Sequence, residues 1–363
     1  MLLYLVPNLL GPPGGIARYC RLVCQALLAA GLPLHVIALL DTPAGITQAA
    51  AQFPGMTYDA CGGSRAAFLR RAAVASLRQR PDLLLIGHPN FAGMGRLLAT
   101  AGRATPVAFV YGIDVWQPLS PMRRWGLAGA AQVIAISQFT LGKAQQTNGV
   151  TAAQGRVLYN CLDPEFHQVA TTRPGPPRLL TVARMSLAEQ YKGHDYVIRA
   201  MPALLAHFPD LTYHIIGDGD ARPGLAQLAA ETGVSQAIHF HGFVSAAELQ
   251  RHYEAATIYI MPSQAEGFGF VFLEAMSHGL PVIAGNQDAT PEVVADGETG
   301  LLVDPTSVPA ITTAAARLLA DDGLRRQMGQ AGRRRVQQQF SFDQFQQTLL
   351  TYLAELRPVR ARA

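Results

Sequence analysis

The sequence has little charge, few cysteines and no apolar run long enough to cross a bilayer, and each absence excludes a class of protein. Only 15% of its 363 residues are charged and 49% are hydrophobic, which excludes a chain kept disordered by its charge. No apolar stretch approaches the roughly 20 residues that a spanning helix needs. The apolar residues 1–10 lack a basic flank, so they are predicted to form a buried strand rather than a signal peptide.

The four cysteines show no metal-ligand spacing, and the weak net charge limits the partners that can be expected. Cys20, Cys24, Cys61 and Cys161 are predicted to be reduced and structural, which favours a cytoplasmic location. A net charge of +4 is compatible with anionic substrates, or with peripheral contact at the inner face of a membrane. No basic stripe with interleaved aromatic residues is present, so nucleic acid is not expected as a partner.

Short apolar runs alternate with amphipathic stretches along the whole chain, which predicts parallel sheets covered by helices on both faces. A chain of 363 residues exceeds what one core normally holds, so two domains are expected. The Pro- and Gly-rich segment 171–177 cannot continue a helix or a central strand. The predicted domains are therefore 1–170 and 171–341, and an amphipathic stretch at 342–358 is predicted to be a terminal helix able to pack back onto the first domain.

The apolar runs give the positions of the individual strands. Predicted strands are 2–6, 35–40, 83–86, 107–110 and 133–136 in the first domain, and 179–183, 213–216, 238–241, 258–261 and 282–284 in the second. Ligands of open α/β sheets bind at the carboxyl ends of strands, beside helix N-termini. The loops that follow these strands are therefore where binding and catalytic residues are expected.

The strongest candidate site follows the predicted strand 258–261. Gly267 and Gly269 permit close backbone approach, and a helix that begins near Gly269 offers N–H groups and its dipole to a phosphate. Glu266 in the loop and Glu274 in the helix are carboxylates suited to vicinal sugar hydroxyls. The residues alone leave an alternative open, in which Glu266 is a helix-terminal charge and Glu274 a surface glutamate.

Arg184 and Lys192 form a second candidate site at the start of the second domain. Arg184 follows the strand 179–183, and Lys192 precedes the helix predicted for 194–207. Beside a helix N-terminus two such cations suit a diphosphate, because arginine offers forked donors and lysine a point charge. The alternative is an exposed pair on a loop, but their positions favour phosphate binding.

The first domain offers weaker candidates at its own strand ends. Gly14 and Gly15 open a helix after the first strand. They lack the Gly-x-Gly-x-x-Gly spacing of a dinucleotide site, but their amides are predicted to contact a phosphate or the sugar of the donor. His88 and Tyr111 follow later strands and are acceptor-side candidates, although a lone histidine is more often structural. Asp114, flanked by glycine, is expected to have few structural duties and is predicted to be catalytic.

Two polar segments have a local explanation. Asn160 and Asp163 are interpreted as turn and cap residues, and the segment 217–220, Gly-Asp-Gly-Asp, as either a tight turn or a ligand loop.

Together these segments resemble the retaining family-four glycosyltransferases of GT-B fold, the glycosyl transferases group 1, which include mannosyl- and glucosyltransferases. The resemblance covers nearly the whole chain. It is most specific at the Glu-x7-Glu signature formed by Glu266 and Glu274, which is followed by Ala-Met-Ser-x-Gly-Leu-Pro-Val-Ile. Arg184 with the segment 192–195 matches the family's donor-diphosphate pair. Gly14-Gly15 matches its N-terminal glycine loop, and Asn160-x-x-Asp163 the end of its first domain.

The resemblance implies a fold and a set of residue roles. The fold is two Rossmann-like, doubly wound α/β domains that face a central cleft. Arg184 and Lys192 would hold the donor diphosphate, Glu274 the ribose, and Glu266 would lie near the transferred sugar. Further donor contacts would come from Gly267, Phe268 and Gly269, and from Phe243 and Val244 beside the base. No cofactor and no obligatory metal are implied, because the two cations would stabilise the departing diphosphate.

One departure affects the acceptor side. Many family members carry a histidine where this chain has Tyr111, which donates a hydrogen bond but is a poor base near neutral pH. His88 is an alternative imidazole in the same region. The nucleotide base, the sugar, the acceptor, the linkage and the oligomeric state stay open.

The predicted activity is transfer of a hexose from a UDP- or GDP-sugar to a saccharide or lipid-linked acceptor with retention, in polysaccharide or glycolipid synthesis. One alternative is a non-catalytic nucleotide or sugar binder, which has little need of residues that stabilise a leaving group. The other is a nucleotide-sugar-modifying enzyme such as an epimerase. The chain lacks the N-terminal Gly-x-x-Gly-x-x-Gly and the Tyr-x-x-x-Lys pair of one epimerase class.

Overall fold

A computed structural model of the chain describes residues 1–11, 14–164, 166 and 175–356. The chain divides into two compact units: Met1–Asp163 with Phe342–Ala363, and Pro164–Ser341. The predicted boundary between 170 and 171 falls at residues outside the described ones, as do positions 357 and 358 of the predicted terminal helix. Within the described residues, no helix is both long and apolar enough to cross a membrane.

The first unit is built on one parallel sheet with helices around it. Its strands are β1 (Leu2–Val6), β2 (Leu34–Ala38), β3 (Thr57–Ala60), β4 (Leu83–Ile86), β5 (Thr105–Val110), β6 (Gln132–Ala135) and β7 (Gly155–Val157). Its helices are α1 (Gly15–Ala29), α2 (Ile46–Gln52), α3 (Arg65–Gln79), α4 (Ala92–Gly102), α5 (Ile113–Trp116), α6 (Pro121–Ala128) and α7 (Gln138–Asn148). The strand order is β3-β2-β1-β4-β5-β6-β7.

The second unit repeats the plan with its own parallel sheet. Its strands are β8 (Arg178–Val182), β9 (Thr212–Ile216), β10 (Ile238–Gly242), β11 (Ile258–Met261), β12 (Val282–Gly285) and β13 (Gly300–Val303). Its helices are α8 (His194–Leu205), α9 (Arg222–Glu231), α10 (Ala246–Ala255), α11 (Phe270–Ser277), α12 (Thr290–Val293), α13 (Val308–Ala320) and α14 (Asp322–Gln339). The strand order is β10-β9-β8-β11-β12-β13.

The last helix of the chain, α15 (Phe342–Leu356), belongs to the first unit. It contacts α1, and Gln346 Nε2 donates a hydrogen bond to the backbone oxygen of Ala26 at 2.9 Å. Tyr352 donates its hydroxyl to the backbone oxygen of Val157 at 3.0 Å. The chain therefore returns to its first unit after the second is complete.

Continuous apolar strands form the centre of each unit because a parallel sheet is covered on both faces. Every residue of β1 is buried, and so is every residue of β4. In the second unit Leu179, Tyr213 and Ile260 lie in one core cluster with residues of α8 and α13. All four cysteines are buried and free, as predicted.

The order of the strands reverses once in each sheet, and these reversals position the site candidates. The first sheet reverses between β1 and β4, and the second between β8 and β11. A doubly wound sheet opens a crevice where neighbouring strands send their helices to opposite faces, and ligands bind there. The loops after β8 and β11 carry Arg184 and Glu266, so these two residues flank the reversal of the second sheet.

Candidate active site

Arg184 lies two residues beyond β8, at the carboxyl end of the sheet. Its guanidinium forms an ion pair with Glu189, in the short 3₁₀ segment Leu187–Lys192 that leads into α8. The Arg184 side chain is 62% exposed. A guanidinium carries several N–H donors in a fixed fork, and the pair with Glu189 uses only part of them. Arg184 can therefore bind an anionic ligand while it stays paired with Glu189.

Lys192 and Glu266 meet where the segments after β8 and β11 come together. Lys192 Nζ donates to Glu266 Oε2 at 2.5 Å, and each side chain is 15% exposed. Burial lowers the pKa of Lys192, but the Glu266 carboxylate and Tyr191 outweigh it, so the pKa lies above its usual value. The ammonium stays charged, and its further N–H donors are suited to phosphate oxygens.

Gly193 brings the loops after β8 and β11 into contact. Its φ of +78° lies in the left-handed region, and a Cβ there would stand 2.5 Å from the backbone oxygen of Pro262. The amide of Gln264 also donates to the backbone oxygen of Tyr191 at 2.9 Å. This close approach places Lys192 beside Glu266, although the two are 74 positions apart in sequence.

The N-terminus of α11 follows the Glu266 loop and offers positive potential. Gly269 precedes the helix with a φ of +90°. Gly269 makes no side-chain cap hydrogen bond, and no acidic residue lies in the first turn. Because N-terminal amides and the helix dipole favour anions, this terminus supports the predicted phosphate site. Gly267 is half-buried in the loop just before it.

Asp288 holds the Glu266 loop and is not among the site residues predicted from the sequence. Its Oδ2 accepts from the Glu266 amide at 2.5 Å, and its Oδ1 from the Thr290 amide at 2.8 Å. Burial raises the pKa of Asp288 to about 6 against the lowering effect of these hydrogen bonds. It follows β12, so the rule that located Arg184 and Glu266 also applies to it.

Glu274 lies inside α11 and is buried, so the alternative of a surface glutamate is wrong. Tyr253 on α10 donates its hydroxyl to Glu274 Oε2 at 2.7 Å, and the Tyr253 ring stacks on His278 at 5.0 Å between ring centroids. The structure thus joins Glu266 to Lys192 and gives Glu274 a partner from another helix. The predicted contact of Glu274 with the ribose stays a prediction.

Three predicted donor contacts differ in how far they are accessible. Phe243, between β10 and α10, is 74% exposed, and Val244 beside it is half-buried. Phe268 is 1% exposed, and its ring packs edge-on against Phe340 at 5.5 Å between centroids. The predicted donor contact of Phe268 therefore rests on its backbone amide.

In the first unit, Gly14 and Gly15 open α1 after β1. Gly14 has extended backbone, with a φ of −171°, and precedes the helix without a side-chain cap hydrogen bond. The first turn of α1 contains no acidic residue, so this terminus resembles that of α11. The predicted donor contact of these glycines stays a prediction.

His88 and Tyr111 follow β4 and β5, with ring centroids 6.3 Å apart. His88 Nδ1 accepts from the Asn90 amide at 3.1 Å, and Tyr111 donates its hydroxyl to the Gly87 carbonyl at 2.9 Å. Burial, with a smaller effect of Arg123, lowers the pKa of His88 to about 4. Burial raises the pKa of Tyr111 well above its usual value. Both are therefore neutral near pH 7.

Asp114 has a structural duty that the sequence did not indicate. Both its carboxylate oxygens accept from the Tyr111 amide, at 3.1 Å each, from the first turn of α5. Burial raises the pKa of Asp114 to about 7, although backbone hydrogen bonds from Tyr111 and Gly112 lower it. Asp114 thus shapes the end of β5, and its catalytic role stays a prediction.

The two segments with local explanations turn out to make long-range contacts. Asp163 Oδ2 accepts from Arg18 Nε at 2.5 Å across the first unit, and Asn160 is buried. In the loop 217–220 the Asp220 carboxylate accepts from the Leu187 amide at 2.7 Å. This loop is a turn that also supports the segment carrying Glu189 and Lys192.

Two family models match the chain, one for each half. The model described as Glycosyltransferase Family 4 matches residues 13–166, and the model described as Glycosyl transferases group 1 matches residues 163–335. The second match contains Arg184, Lys192, Glu266 and Glu274.

Curated relatives include mannosyltransferases. A GDP-mannose-dependent alpha-(1-6)-phosphatidylinositol monomannoside mannosyltransferase of Mycolicibacterium smegmatis is 34% identical over 257 residues, 66% of this chain and 67% of that protein. The protein of the same name from Mycobacterium tuberculosis H37Rv is 36% identical over 180 residues, 48% of this chain. The chain spans about half of that second relative, 47% of its length.

Solved structures match over nearly the full length. The Anabaena protein Alr3699/HepE, in complex with UDP and glucose, has a TM-score of 0.79 at 20% identity and covers 98% of this chain and 99% of its own. A glycosyltransferase from Rickettsia africae ESF-5 has a TM-score of 0.83 at 19% identity, with 98% of each chain covered. These likenesses confirm the predicted fold of two Rossmann-like units.

Proposed function

The chain belongs to the family-4 glycosyltransferases, and on that premise we propose that it transfers a hexose from a nucleotide diphosphate sugar to a saccharide or lipid-linked acceptor, with retention of configuration. The observation that carries the proposal is the contact between Lys192 and Glu266 at the reversal of the second sheet, beside the N-terminus of α11. Cations and helix amides on one side and a carboxylate on the other suit a sugar diphosphate.

The chemical step is supported by groups that bind the leaving diphosphate. As the bond between the anomeric carbon and the phosphate oxygen breaks, negative charge grows on the diphosphate. Arg184, Lys192 and the amides of α11 are positioned to stabilise that charge. Arg184 and Lys192 supply the positive charge that a divalent ion would otherwise supply, so the proposed reaction needs no obligatory metal or other cofactor.

The acceptor is assigned to the first unit, where His88, Tyr111 and Asp114 are the candidate contacts. The acceptor oxygen forms the new bond to the anomeric carbon, and its proton passes to an oxygen of the departing diphosphate. This route fits the side chains, because burial lowers the pKa of His88 to about 4 and raises the pKa of Tyr111. Both carboxylate oxygens of Asp114, whose pKa burial raises to about 7, already accept from the Tyr111 amide. Neither His88 nor Tyr111 is a strong general base near pH 7.

GDP-mannose is the first donor to test. The Mycolicibacterium smegmatis relative, named as GDP-mannose-dependent, is 34% identical to this chain. The structure with UDP and glucose is only 20% identical, and at that level the likeness concerns the fold. We propose GDP-mannose as donor, with UDP-glucose as the alternative.

A panel of GDP-mannose, UDP-glucose and ADP-glucose in a thermal-shift assay tests the proposal. One donor is expected to raise Tm by mass action, and the Arg184→Ala variant is expected to need about 10-fold more of it, because a charged hydrogen bond is lost. Arg326→Ala, which removes an exposed arginine of α14, is the matched control.

The product of a transfer assay with the same donor then distinguishes the alternatives. A glycosidic product with retained anomeric configuration, read by NMR, supports the proposal. An inverted product, a free isomerised sugar, or donor binding without transfer to any saccharide or lipid acceptor would contradict it.

Helix α6 supports a further part of the proposal, peripheral contact with an anionic membrane. Met122 is 59% and Trp125 42% exposed, and between them lie the exposed Arg123 and Arg124. An aromatic and apolar surface interleaved with arginine is typical of helices that lie in the membrane interface. The membrane contact would bring a lipid-linked acceptor to the first unit.

Vesicle co-sedimentation measures this contact. A Met122→Glu/Trp125→Glu double variant is expected to bind phosphatidylglycerol vesicles about 10-fold more weakly, since it removes apolar burial and adds repulsion. Leu77→Glu, on an exposed position of α3, is the control and should bind like the wild type. Equal sedimentation of wild type and double variant would exclude α6 as the contact.

A further inference from the structure

The second unit carries a cluster of histidines apart from the donor loops. His214 lies on β9, His241 on the neighbouring edge strand β10, and His252 in the last turn of α10. One ring nitrogen from each lies within 4.8 Å of the other two. These three residues are called the histidine cluster below.

Strand register and one helix bring the cluster together. In the pairing of β9 with β10, His214 stands opposite His239, and His241 lies where the register between the two strands shifts. The His241 ring stacks on the His214 ring, with 5.1 Å between the ring centroids. Helix α10 contacts β8, the strand next to β9. The His252 ring lies 4.3 Å from the His241 ring and 6.1 Å from the His214 ring, measured between centroids.

The spacing of the ring nitrogens fits a single metal ion. His214 Nδ1 and His241 Nε2 are 2.9 Å apart, whereas two nitrogens bound to one tetrahedral zinc ion, at about 2.0–2.1 Å from it, stand about 3.3 Å apart. A small rotation of one exposed ring closes that difference. His241 is exposed and the other two are half-buried, so an ion can enter from solvent.

We propose that His214, His241 and His252 bind a divalent transition-metal ion, with Zn²⁺ the first candidate. Three imidazole ligands suit zinc, copper or nickel rather than magnesium or calcium. The remaining coordination position takes water. The bound ion would tie the edge strand β10 to α10, on either side of the segment that carries Phe243.

Neighbouring groups hold the cluster ready for a metal. Thr212 Oγ1 lies 3.1 Å from His214 Nε2, so it can fix the orientation of that ring, as partners behind a metal ligand do. Burial, the neighbouring histidines and Arg178 lower the pKa of His214 to about 3. Burial, followed by Arg178, also lowers the pKa of His252, while Glu248 opposes that shift. The neutral imidazole is the form that binds metal.

Calorimetric titration with ZnCl₂ of the full chain, purified without a histidine tag, tests the site. The wild type is expected to bind one ion per chain with a saturable isotherm. His241→Gln and His252→Gln should each weaken binding by more than about 10-fold, since losing a ligand costs at least as much as losing a partner behind one. His207→Gln, an exposed histidine of the same unit, should leave binding unchanged. No saturable binding, or equal binding by all variants, would overturn the proposal.

A measurement on the wild type alone guards against variants that fold poorly. Diethyl pyrocarbonate modifies accessible imidazoles, and peptide mass spectrometry reports each position. ZnCl₂ should slow modification at positions 214, 241 and 252 and leave His207 unaffected. Protection spread equally over His207 and the cluster would mean surface adsorption and would refute the site.

Discussion

Replacing Lys192 with alanine is expected to lower kcat/KM for the sugar donor by about 10²–10³-fold, as the loss of one donor to a developing anion does in other enzymes. The substitution removes a cation from the leaving diphosphate. In the wild type the Glu266 carboxylate lies 2.5 Å from the Lys192 ammonium. Without that ammonium, the carboxylate is an unpaired negative charge that faces the phosphates. Initial rates of transfer measured against donor concentration give the effect.

The chain provides a close control, because it contains only two lysines, Lys143 and Lys192. Lys143 lies on α7 in the first unit, with its ammonium 5.3 Å from the centre of the Phe139 ring. Lys143→Ala should leave kcat/KM unchanged. If Lys192→Ala retained transfer within a few-fold of wild type, Lys192 would not hold the diphosphate.

Gly193→Ala is expected to lower the free energy of unfolding of the second unit by about 2–5 kcal/mol. A left-handed φ costs an L-residue about 1–2 kcal/mol, and an overpacked contact adds about 1–3 kcal/mol. Here the added Cβ would stand 2.5 Å from the backbone oxygen of Pro262. To relieve that contact, the loop after β8 must move away from the loop after β11. Because these loops carry Lys192 and Glu266, donor affinity should fall as well. Urea unfolding and donor titration give the two effects.

Gly233→Ala separates the two contributions. Gly233 has a φ of +74°, close to the +78° of Gly193, but no atom lies within 4 Å of its added Cβ. It should lose only the conformational part, about 1–2 kcal/mol, and bind donor normally. Equal stability losses in the two variants, with donor affinity intact in both, would mean that the contact between the loops at Gly193 is unimportant.

Among the strands that the structure describes, the sequence predicted every interior strand of both sheets but only one of the four edge strands, β10. The ten predicted strands are confirmed to within two residues at each end, because central parallel strands are continuous apolar runs. The three missed strands, β3, β7 and β13, are all at sheet edges. They are short, and β3 contains Thr57 and Asp59. A strand with one open edge needs less apolar surface, so its sequence carries a weaker signal.

The site was predictable where it depends on strand ends and unpredictable where it depends on contacts between distant elements. Arg184 and Glu266 follow from the rule that ligands bind at the carboxyl ends of strands. The hydrogen bond of Tyr253 to Glu274 joins two helices, and no local pattern indicates it. The histidine cluster likewise depends on the register between β9 and β10.

We propose that the donor diphosphate lies at Lys192, beside Glu266 and the N-terminus of α11. Amine labelling followed by mass spectrometry tests it directly, because Lys143 and Lys192 carry the only side-chain amines in the sequence. The donor that raises Tm most should slow labelling of Lys192 several-fold and leave Lys143 unchanged. Labelling of Lys192 at the same rate with and without saturating donor would contradict the claim.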